Sequence, residues 1–261
     1  MYPSFTRGDF CAPAPAAETQ APATQSARLR AGLSRLATET LNRVGASLLL
    51  VALTPLSLIL AIAIRLDSPG PVFVRLRRVG RHGREFGMWK FRKMRVDAAG
   101  PALTSPDDDR FTRLGSMLAK YKLDEVPQLW NVLCGEMSLV GPRPEDPAFV
   151  ELQKQAYSEI CKVKPGITGL SQLTFARESE VLDPENRVTD YVERVLPQKI
   201  GLDQLYAERR SFGMDLRILL GTMFVTVFRG EIAVHRGSGR LTVRHRPAPP
   251  AAVDATEVAR G

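Results

Sequence analysis

The segment KYKLDEVPQLWNVLCGEMSLVGPRP (Lys120–Pro144) places two adjacent carboxylates, Asp124 and Glu125, at the start of a short amphipathic helix. Pro127 is compatible with a first helical turn, because the N–H that proline lacks has no partner there. Gly135 predicts the end of the helix. The apolar residues recur with the spacing of one helical face: Val126, Leu129, Trp130 and Leu133.

The position of these two acids is compatible with a role in binding or reacting with an anionic substrate. A helix N-terminus stabilises negative charge and offers free N–H groups to an anion. Neighbouring side chains on a helix point in different directions, so Asp124 and Glu125 can hold different roles, one toward a substrate and one toward a metal. An acidic first turn that only caps the helix is the alternative, and the surrounding sequence has to decide between the two.

Composition limits the partners of this 261-residue chain. Its formal net charge of +8 favours an acidic partner, such as nucleic acid, an anionic membrane surface or a phosphorylated small molecule. We expect no nucleic-acid partner, because the sequence lacks recognition motifs and its positive charge flanks a hydrophobic helix. Cys11, Cys134 and Cys161 are an odd number without metal-ligand spacing, which favours a reducing compartment.

The chain divides into four predicted segments. Residues 1–37 and 246–261 are rich in Ala and Pro, have no periodic apolar face, and are predicted to be disordered tails. Residues 38–66 are predicted to be a membrane helix, and residues 67–245 a cytosolic domain.

The membrane element contains the uncharged run Val44–Ile64, which is long enough to cross about 30 Å of hydrocarbon. Pro55 lies at its centre and interrupts the helical hydrogen bonds, with the hydroxyl of Thr54 beside it. Arginines flank both ends, whereas a spanning helix usually has its positive charge on one side. These features predict a re-entrant helix that bends at Pro55 and leaves by the same face; a kinked single-pass anchor is the alternative.

Basic residues recur in three later segments. In WKFRKM (residues 89–94), strand alternation places Lys90 and Arg92 on one face, and we expect Arg92 and Lys93 to be solvated. Arg143 lies between two prolines, which fix the guanidinium in a manner suited to a phosphate contact. Lys164 begins the turn KPGITG, whose glycines allow close approach of the backbone to an anion.

The runs KLDEVPQLWNVLCGEMSLVGPRPE, WKFRKM and KPGITGLSQL, behind a hydrophobic helix that contains Thr54-Pro55, together resemble the bacterial sugar transferases. These are monotopic polyprenyl-phosphate phosphoglycosyltransferases. The resemblance covers roughly residues 38–229. It implies an α+β fold: a mostly helical cytosolic domain with a few short strands, anchored by a Pro-bent re-entrant membrane helix at Thr54-Pro55.

The resemblance also implies a reaction. A sugar-1-phosphate passes from a UDP-sugar to undecaprenyl (polyprenyl) phosphate, UMP is released, and a covalent Asp phosphosugar is the intermediate. This is the first membrane step of exopolysaccharide, capsule or O-antigen synthesis. Asp124 is implied as the nucleophile, and Glu125, with Asp124, as the ligand of Mg²⁺. The implied phosphate-binding residues are Lys90, Arg143, Lys164 and Lys120.

The sequence departs from the family at Ala119, where an arginine is common, and Lys120 or Lys122 is expected to substitute as a point charge. Lys164 also replaces a commoner arginine. An inactive, membrane-tethered scaffold of the same fold is therefore the alternative function. The expected location is the bacterial cytoplasmic (inner) membrane, with the active site on the cytoplasmic face, anionic lipid as a partner, and a homodimer possible. The chain is expected to be close to the minimal catalytic unit.

Overall fold

The computed structural model describes residues 25–98, 100, 103–105, 108–176, 182, 186–228, 230–235 and 237–244. The chain divides into two compact units, Met1–Thr38 and Glu39–Gly261. The predicted C-terminal tail and residues 1–24 lie outside the described residues. The predicted N-terminal tail differs from the structure in its last part, because helix α1 already begins at Gln25. This part of the sequence is rich in Ala, Leu and Arg, which favour helix.

Helix α1 spans Gln25–Asp67 and passes through Pro55 as one helix. Among the described residues, its part Leu36–Asp67 is the helical stretch long and apolar enough to cross a membrane, with a mean hydropathy of 2.5. The Thr54 hydroxyl donates to the Leu50 carbonyl at 2.7 Å in the turn that Pro55 interrupts. The structure therefore has the predicted apolar helix, but it does not show the predicted break at Pro55.

The part of α1 from residue 39 onward has two different faces. Ala46, Leu60 and Ile64 are buried against the domain. The opposite face exposes a row of large apolar side chains: Leu41, Val44, Leu48, Val51, Leu58, Ile59, Ile62 and Leu66. An exposed apolar surface of this extent is typical of contact with a membrane or a partner.

Both ends of the apolar run are bonded to the same domain. Near its start, the Asn42 side chain accepts a hydrogen bond from the Leu139 N–H at 2.8 Å. Near its end, the Asp67 carboxylate accepts one from the Leu114 N–H at 3.1 Å. Since Leu139 and Leu114 belong to one compact unit, the two ends of the run lie on the same body of protein.

Arg92 fixes the end of α1, contrary to the prediction that it is solvated. Its guanidinium is buried and donates to the carbonyls of Ser68, Pro69 and Pro71 at 2.7, 2.8 and 2.6 Å. The carbonyls after a helix C-terminus have no partners within the helix, and a guanidinium offers several donors in fixed directions. This side chain therefore links the end of α1 to the segment that follows β2.

The other elements follow in chain order. They are β1 (Phe73–Val79), β2 (Glu85–Phe91), α2 (Arg113–Lys120), α3 (Gln128–Leu133), β3 (Ser138–Val140), α4 (Pro147–Leu152), α5 (Lys154–Ile160), β4 (Gly166–Thr168), α6 (Leu170–Thr174), α7 (Arg187–Asp190), α8 (Leu196–Arg209), α9 (Phe212–Phe228), β5 (Glu231–Val234) and β6 (Leu241–Arg244). β1 pairs antiparallel with β2, β3 pairs parallel with β4, and β5 pairs antiparallel with β6. A mixed fold of helices and short strands is thus confirmed.

Helix α9 has an apolar sequence but buries only a small part of its surface. Of its side chains, Ile218 is buried, whereas Leu220, Met223 and Phe228 are exposed. The helix packs by a narrow face against the β3–β4 pair, where the hydroxyls of Thr168 and Thr222 are hydrogen-bonded at 2.5 Å. α9 is therefore a second apolar surface helix and not a buried core helix.

Candidate active site

Asp124 and Glu125 lie in a 3₁₀ turn, Leu123–Glu125, that directly precedes α3. The N–H groups of Glu125 and Val126 already donate to the carbonyls of Lys122 and Leu123. The prediction that free N–H groups here bind an anion is therefore wrong for these two, because the tight turn uses them. Positive charge at this site has to come from side chains.

The apolar face predicted for α3 is also only partly correct. Leu129 is buried, but Trp130 is 54% exposed, and Gln128 and Asn131 are fully buried instead. The helix has six residues and contacts both β2 and β3, so a single apolar stripe does not describe it. Its end at Gly135 is confirmed, since this residue has a φ of +79°, which glycine adopts without strain.

Lys90 and Arg143, two of the predicted phosphate-binding residues, lie against the acidic pair. The Lys90 ammonium donates to Glu125 Oε1 at 2.8 Å and lies 3.8 Å from Asp124 Oδ2. The Arg143 guanidinium donates to Glu125 Oε1 at 3.2 Å. Three elements distant in sequence therefore meet here: strand β2, the 3₁₀ turn and the loop after β3.

Lys93 is a residue that the sequence interpretation missed. It was expected to be solvated, but its ammonium lies 3.2 Å from Asp124 Oδ2, closer than that of Lys90. The prediction failed because strand alternation does not extend past Phe91, where β2 ends. The one sequence signal was the proximity of Lys93 to Lys90 in a basic segment.

The Asp124 carboxylate is almost fully buried, with its side chain 2% exposed. Among the described residues, neither of its oxygens has a hydrogen-bond partner, so charge alone holds it. A buried carboxylate without hydrogen bonds is costly and usually marks a site with a functional purpose.

Asn131 fixes the strand that carries Lys90. Its Oδ1 accepts from the Trp89 N–H at 3.0 Å, and its Nδ2 donates to the Gly87 carbonyl at 2.9 Å and to Glu136 at 2.7 Å. This side chain is fully buried and bonds the backbone of Trp89, directly before Lys90, and that of Gly87 in the same strand. It therefore fixes the position of β2 against α3, and so the position of Lys90 against the acidic pair.

The turn that carries Arg143 is fixed from two sides. The Gly166 N–H donates to the Pro142 carbonyl at 2.8 Å, and a Cβ at Gly166 would lie 2.0 Å from the Gly141 nitrogen. On the other side, buried Glu145 accepts from the Tyr191 hydroxyl at 2.7 Å. The glycine of the KPG motif is thus required for close packing of two backbones, and its contact with an anion stays a prediction.

The remaining predicted phosphate-binding residues lie elsewhere. The Lys164 ammonium pairs with Glu39 of α1 at 3.0 Å. Lys120 is exposed in the last turn of α2. Lys122, with a φ of 56°, directly precedes the 3₁₀ turn, and its positive charge acts on Glu125 and Asp124. The roles of Lys164 and Lys120 in phosphate binding stay predictions, and the nearest charge to the nucleophile candidate belongs to Lys93.

In this cluster, burial and the charges of neighbouring groups shift the pKa values of the side chains in opposite directions. Burial acts to raise the pKa of Glu125, but the attraction of Lys90 and Arg143 outweighs it and holds the pKa well below its usual range. Burial lowers the pKa of Lys90, against the attraction of Glu125 and Asp124. Burial likewise lowers the pKa of Lys122. The cations therefore keep Glu125 ionised in a site that water hardly enters.

The residues at this site fit a magnesium ion that is shared with a substrate. The described residues contain no group of three or more His, Cys, Asp or Glu side chains able to hold a metal. Mg²⁺ is commonly bound by only one or two carboxylates together with substrate phosphates. Asp124 supplies two oxygens without hydrogen bonds, and Glu125 lies beside it, so this pair meets that requirement.

The family of this chain follows from comparison with known proteins. The family described as bacterial sugar transferase matches residues 33–229, which include both acids, all three cations around them and most of α1. The chain belongs to the bacterial sugar transferase family.

Three relatives share the name UDP-glucose:undecaprenyl-phosphate glucose-1-phosphate transferase. The protein from Xanthomonas campestris pv. campestris is 40% identical over 188 residues, 69% of this chain and 37% of the relative. That from Escherichia coli (strain K12) is 37% identical over 206 residues, 77% of this chain and 41% of the relative. That from Caulobacter vibrioides is 38% identical over 213 residues, 77% of this chain and 76% of the relative. The chain thus matches about two fifths of the length of the first two.

Proposed function

We propose that this protein is a phosphoglycosyltransferase that moves a sugar-1-phosphate from a UDP-sugar to undecaprenyl phosphate and releases UMP. The observation that carries the proposal is the buried Asp124 carboxylate, which has no hydrogen bonds and is surrounded by Lys90, Lys93 and Glu125. The names of the relatives support UDP-glucose as the first donor to test, and an exopolysaccharide, capsule or O-antigen pathway as the setting.

In the first step, an oxygen of Asp124 attacks the β-phosphorus of the UDP-sugar. The bond between this phosphorus and the oxygen that bridges to the α-phosphorus breaks, and UMP leaves with that oxygen and its electron pair. A carboxylate is a weak nucleophile toward an anionic diphosphate, so negative charge has to be neutralised before attack. Lys90, Lys93 and Arg143 supply that charge from fixed positions.

In the second step, a phosphate oxygen of undecaprenyl phosphate attacks the phosphorus of the acyl phosphate. The bond between phosphorus and the Asp124 oxygen breaks, which returns the carboxylate and gives a polyprenyl diphosphate-linked sugar. Glu125 and Asp124 would hold Mg²⁺, which supplies Lewis-acid neutralisation of the phosphate oxygens when bound.

The acceptor lipid requires the site to lie at a bilayer surface, and α1 supports this. Both ends of its apolar run bond to one domain, at Asn42 and Asp67, so a straight crossing would require that domain on both sides of the bilayer. We propose that α1 enters and leaves by the cytoplasmic face of the inner membrane, with its exposed apolar row and that of α9 in lipid. This monotopic arrangement includes the re-entrant path through Thr54-Pro55, and the basic β1–β2 hairpin favours anionic lipid.

Cysteine labelling tests this topology. Thr40→Cys and Arg65→Cys are placed singly at exposed positions near either end of the apolar run, in a background with Cys11 and Cys134 replaced by Ser. Both are expected to react with an impermeant maleimide in inverted inner-membrane vesicles and not in right-side-out ones. Reaction of the two positions from opposite sides would show a single-pass anchor.

The reaction is tested with the purified full chain in detergent, UDP-glucose, Mg²⁺ and undecaprenyl phosphate. UMP release that depends on the lipid acceptor is expected, and excess EDTA is expected to stop it until Mg²⁺ is restored. A panel of other UDP-sugars identifies the donor if UDP-glucose is inactive. Absence of UMP with every donor would instead support the inactive, membrane-tethered scaffold.

A further inference from the structure

We infer that Lys93 is a further catalytic residue, whose ammonium pairs with the Asp124 carboxylate at rest and neutralises negative charge on the donor phosphate during attack. This inference rests on the proposed function, since it assigns a role within the same reaction. It starts from the distances at the site. The ammonium of Lys93 lies 3.2 Å from Asp124 Oδ2, and that of Lys90 lies 3.8 Å away.

The cations at the site divide between the two acids. Lys90 and Arg143 both donate to the same oxygen, Oε1 of Glu125, and are therefore engaged mainly with that carboxylate. Lys93 contacts Asp124 instead. Ala119, five residues before Asp124, carries no charge. Among the ion pairs of the described residues, Lys93 therefore brings the closest positive charge to Asp124 Oδ2.

The balance of charge supports the same conclusion. Lys90 and Arg143 pair with Glu125, and the charge of Lys122 also acts on this carboxylate. Lys93 adds a further positive charge, placed at Asp124. A positive charge at this position stabilises the transition state, in which further negative charge gathers at the reacting oxygens, more than it stabilises the bound diphosphate.

The backbone of Lys93 is anchored without its side chain. Its carbonyl accepts a hydrogen bond from the Thr112 N–H at 3.1 Å, and a Cβ at Gly115 would lie 1.8 Å from that carbonyl oxygen. The next residue, Met94, pairs with Phe111, whose ring lies 5.8 Å from the Lys93 ammonium. The anchored backbone aims the side chain at Asp124, and these backbone contacts survive truncation of the side chain.

The test uses a half-reaction that involves only Asp124 and the donor. The full chain in detergent is incubated with UDP-sugar and isotope-labelled UMP without acceptor lipid, and reversal of the first step moves label into UDP-sugar. Lys93→Met is expected to slow this exchange about 100-fold, as loss of one electrostatic contact to the reacting atoms does. The KM for UDP-sugar is expected to change less than threefold, and Lys93→Arg to recover exchange to within about tenfold of the unchanged protein.

Lys154→Met, at an exposed lysine of α5, is the matched control and is expected to exchange normally. Lys93→Met is expected to have a lower thermal unfolding midpoint than the unchanged protein, because buried Asp124 loses its nearest cation, but to remain folded at the assay temperature. Normal exchange by folded Lys93→Met, or failure of Lys93→Arg to exceed Lys93→Met, overturns the assignment of Lys93 while the proposed function stands. No exchange by the unchanged protein overturns the covalent step itself.

Discussion

Replacement of Asp124 by asparagine is expected to lower UMP release by about 10⁴-fold or more, as loss of a catalytic nucleophile does in other enzymes. The amide has nearly the shape of the carboxylate but no charge, and its oxygen does not attack phosphorus. Steady-state UMP release with saturating UDP-sugar and acceptor lipid measures the effect. The thermal unfolding midpoint separates loss of chemistry from loss of fold.

Asp109→Asn is the matched control for this prediction, because it makes the same chemical change at an exposed carboxylate in the loop before α2. It is expected to release UMP at the normal rate. If folded Asp124→Asn retains more than a tenth of the activity, Asp124 is not the nucleophile. Normal activity of the unchanged protein would then require another group to attack.

Replacement of Lys90 by methionine is expected to have the second largest effect, a fall in kcat of about 100- to 1,000-fold. Lys90 contacts both acids, at 2.8 and 3.8 Å, and its side chain is 8% exposed. Methionine fills much of the same volume without charge. The variant is also expected to unfold more easily, because loss of one partner of a buried ion pair costs about 3–5 kcal/mol. Initial rates and thermal unfolding in detergent measure the two effects.

A double variant separates these two effects of Lys90. Lys90→Met with Glu125→Gln removes both charges of the pair and is expected to regain thermal stability over Lys90→Met alone, because no unpaired buried charge remains. UMP release is expected to stay low, since both groups serve the reaction. Recovery of activity in the double variant would mean that Lys90 acts only by stabilising the fold.

The sequence predicted the parts of this protein that depend on local pattern. The helix end at Gly135 and the apolar helix within residues 38–66 follow from turn chemistry and an apolar run, and the structure confirms them. The meeting of Lys90 and Arg143 with Glu125 followed from resemblance to a family. No spacing rule joins residues so far apart in sequence.

The rest depends on contacts that the sequence does not display. Lys93 reaches Asp124 because the chain turns after β2 and pairs with the segment before α2, which ends strand alternation. Arg92 is buried because the carbonyls of the segment that follows α1 surround it. The uncharged run of α1 gives no sign of which face packs on the domain, since both faces are apolar. Tertiary contacts decide each of these three outcomes.

The proposed covalent intermediate is the central claim, and intact-protein mass spectrometry tests it most directly. The full chain is mixed with UDP-glucose, or with the donor that supports UMP release, and Mg²⁺ without acceptor lipid, then quenched in acid. The account predicts a mass increase of one sugar-phosphate group that maps to the peptide containing Asp124, is absent in Asp124→Asn, and disappears when undecaprenyl phosphate is added. Two results would contradict it. One is UMP release by the unchanged protein without an adduct that undecaprenyl phosphate removes, and the other is an adduct on another residue.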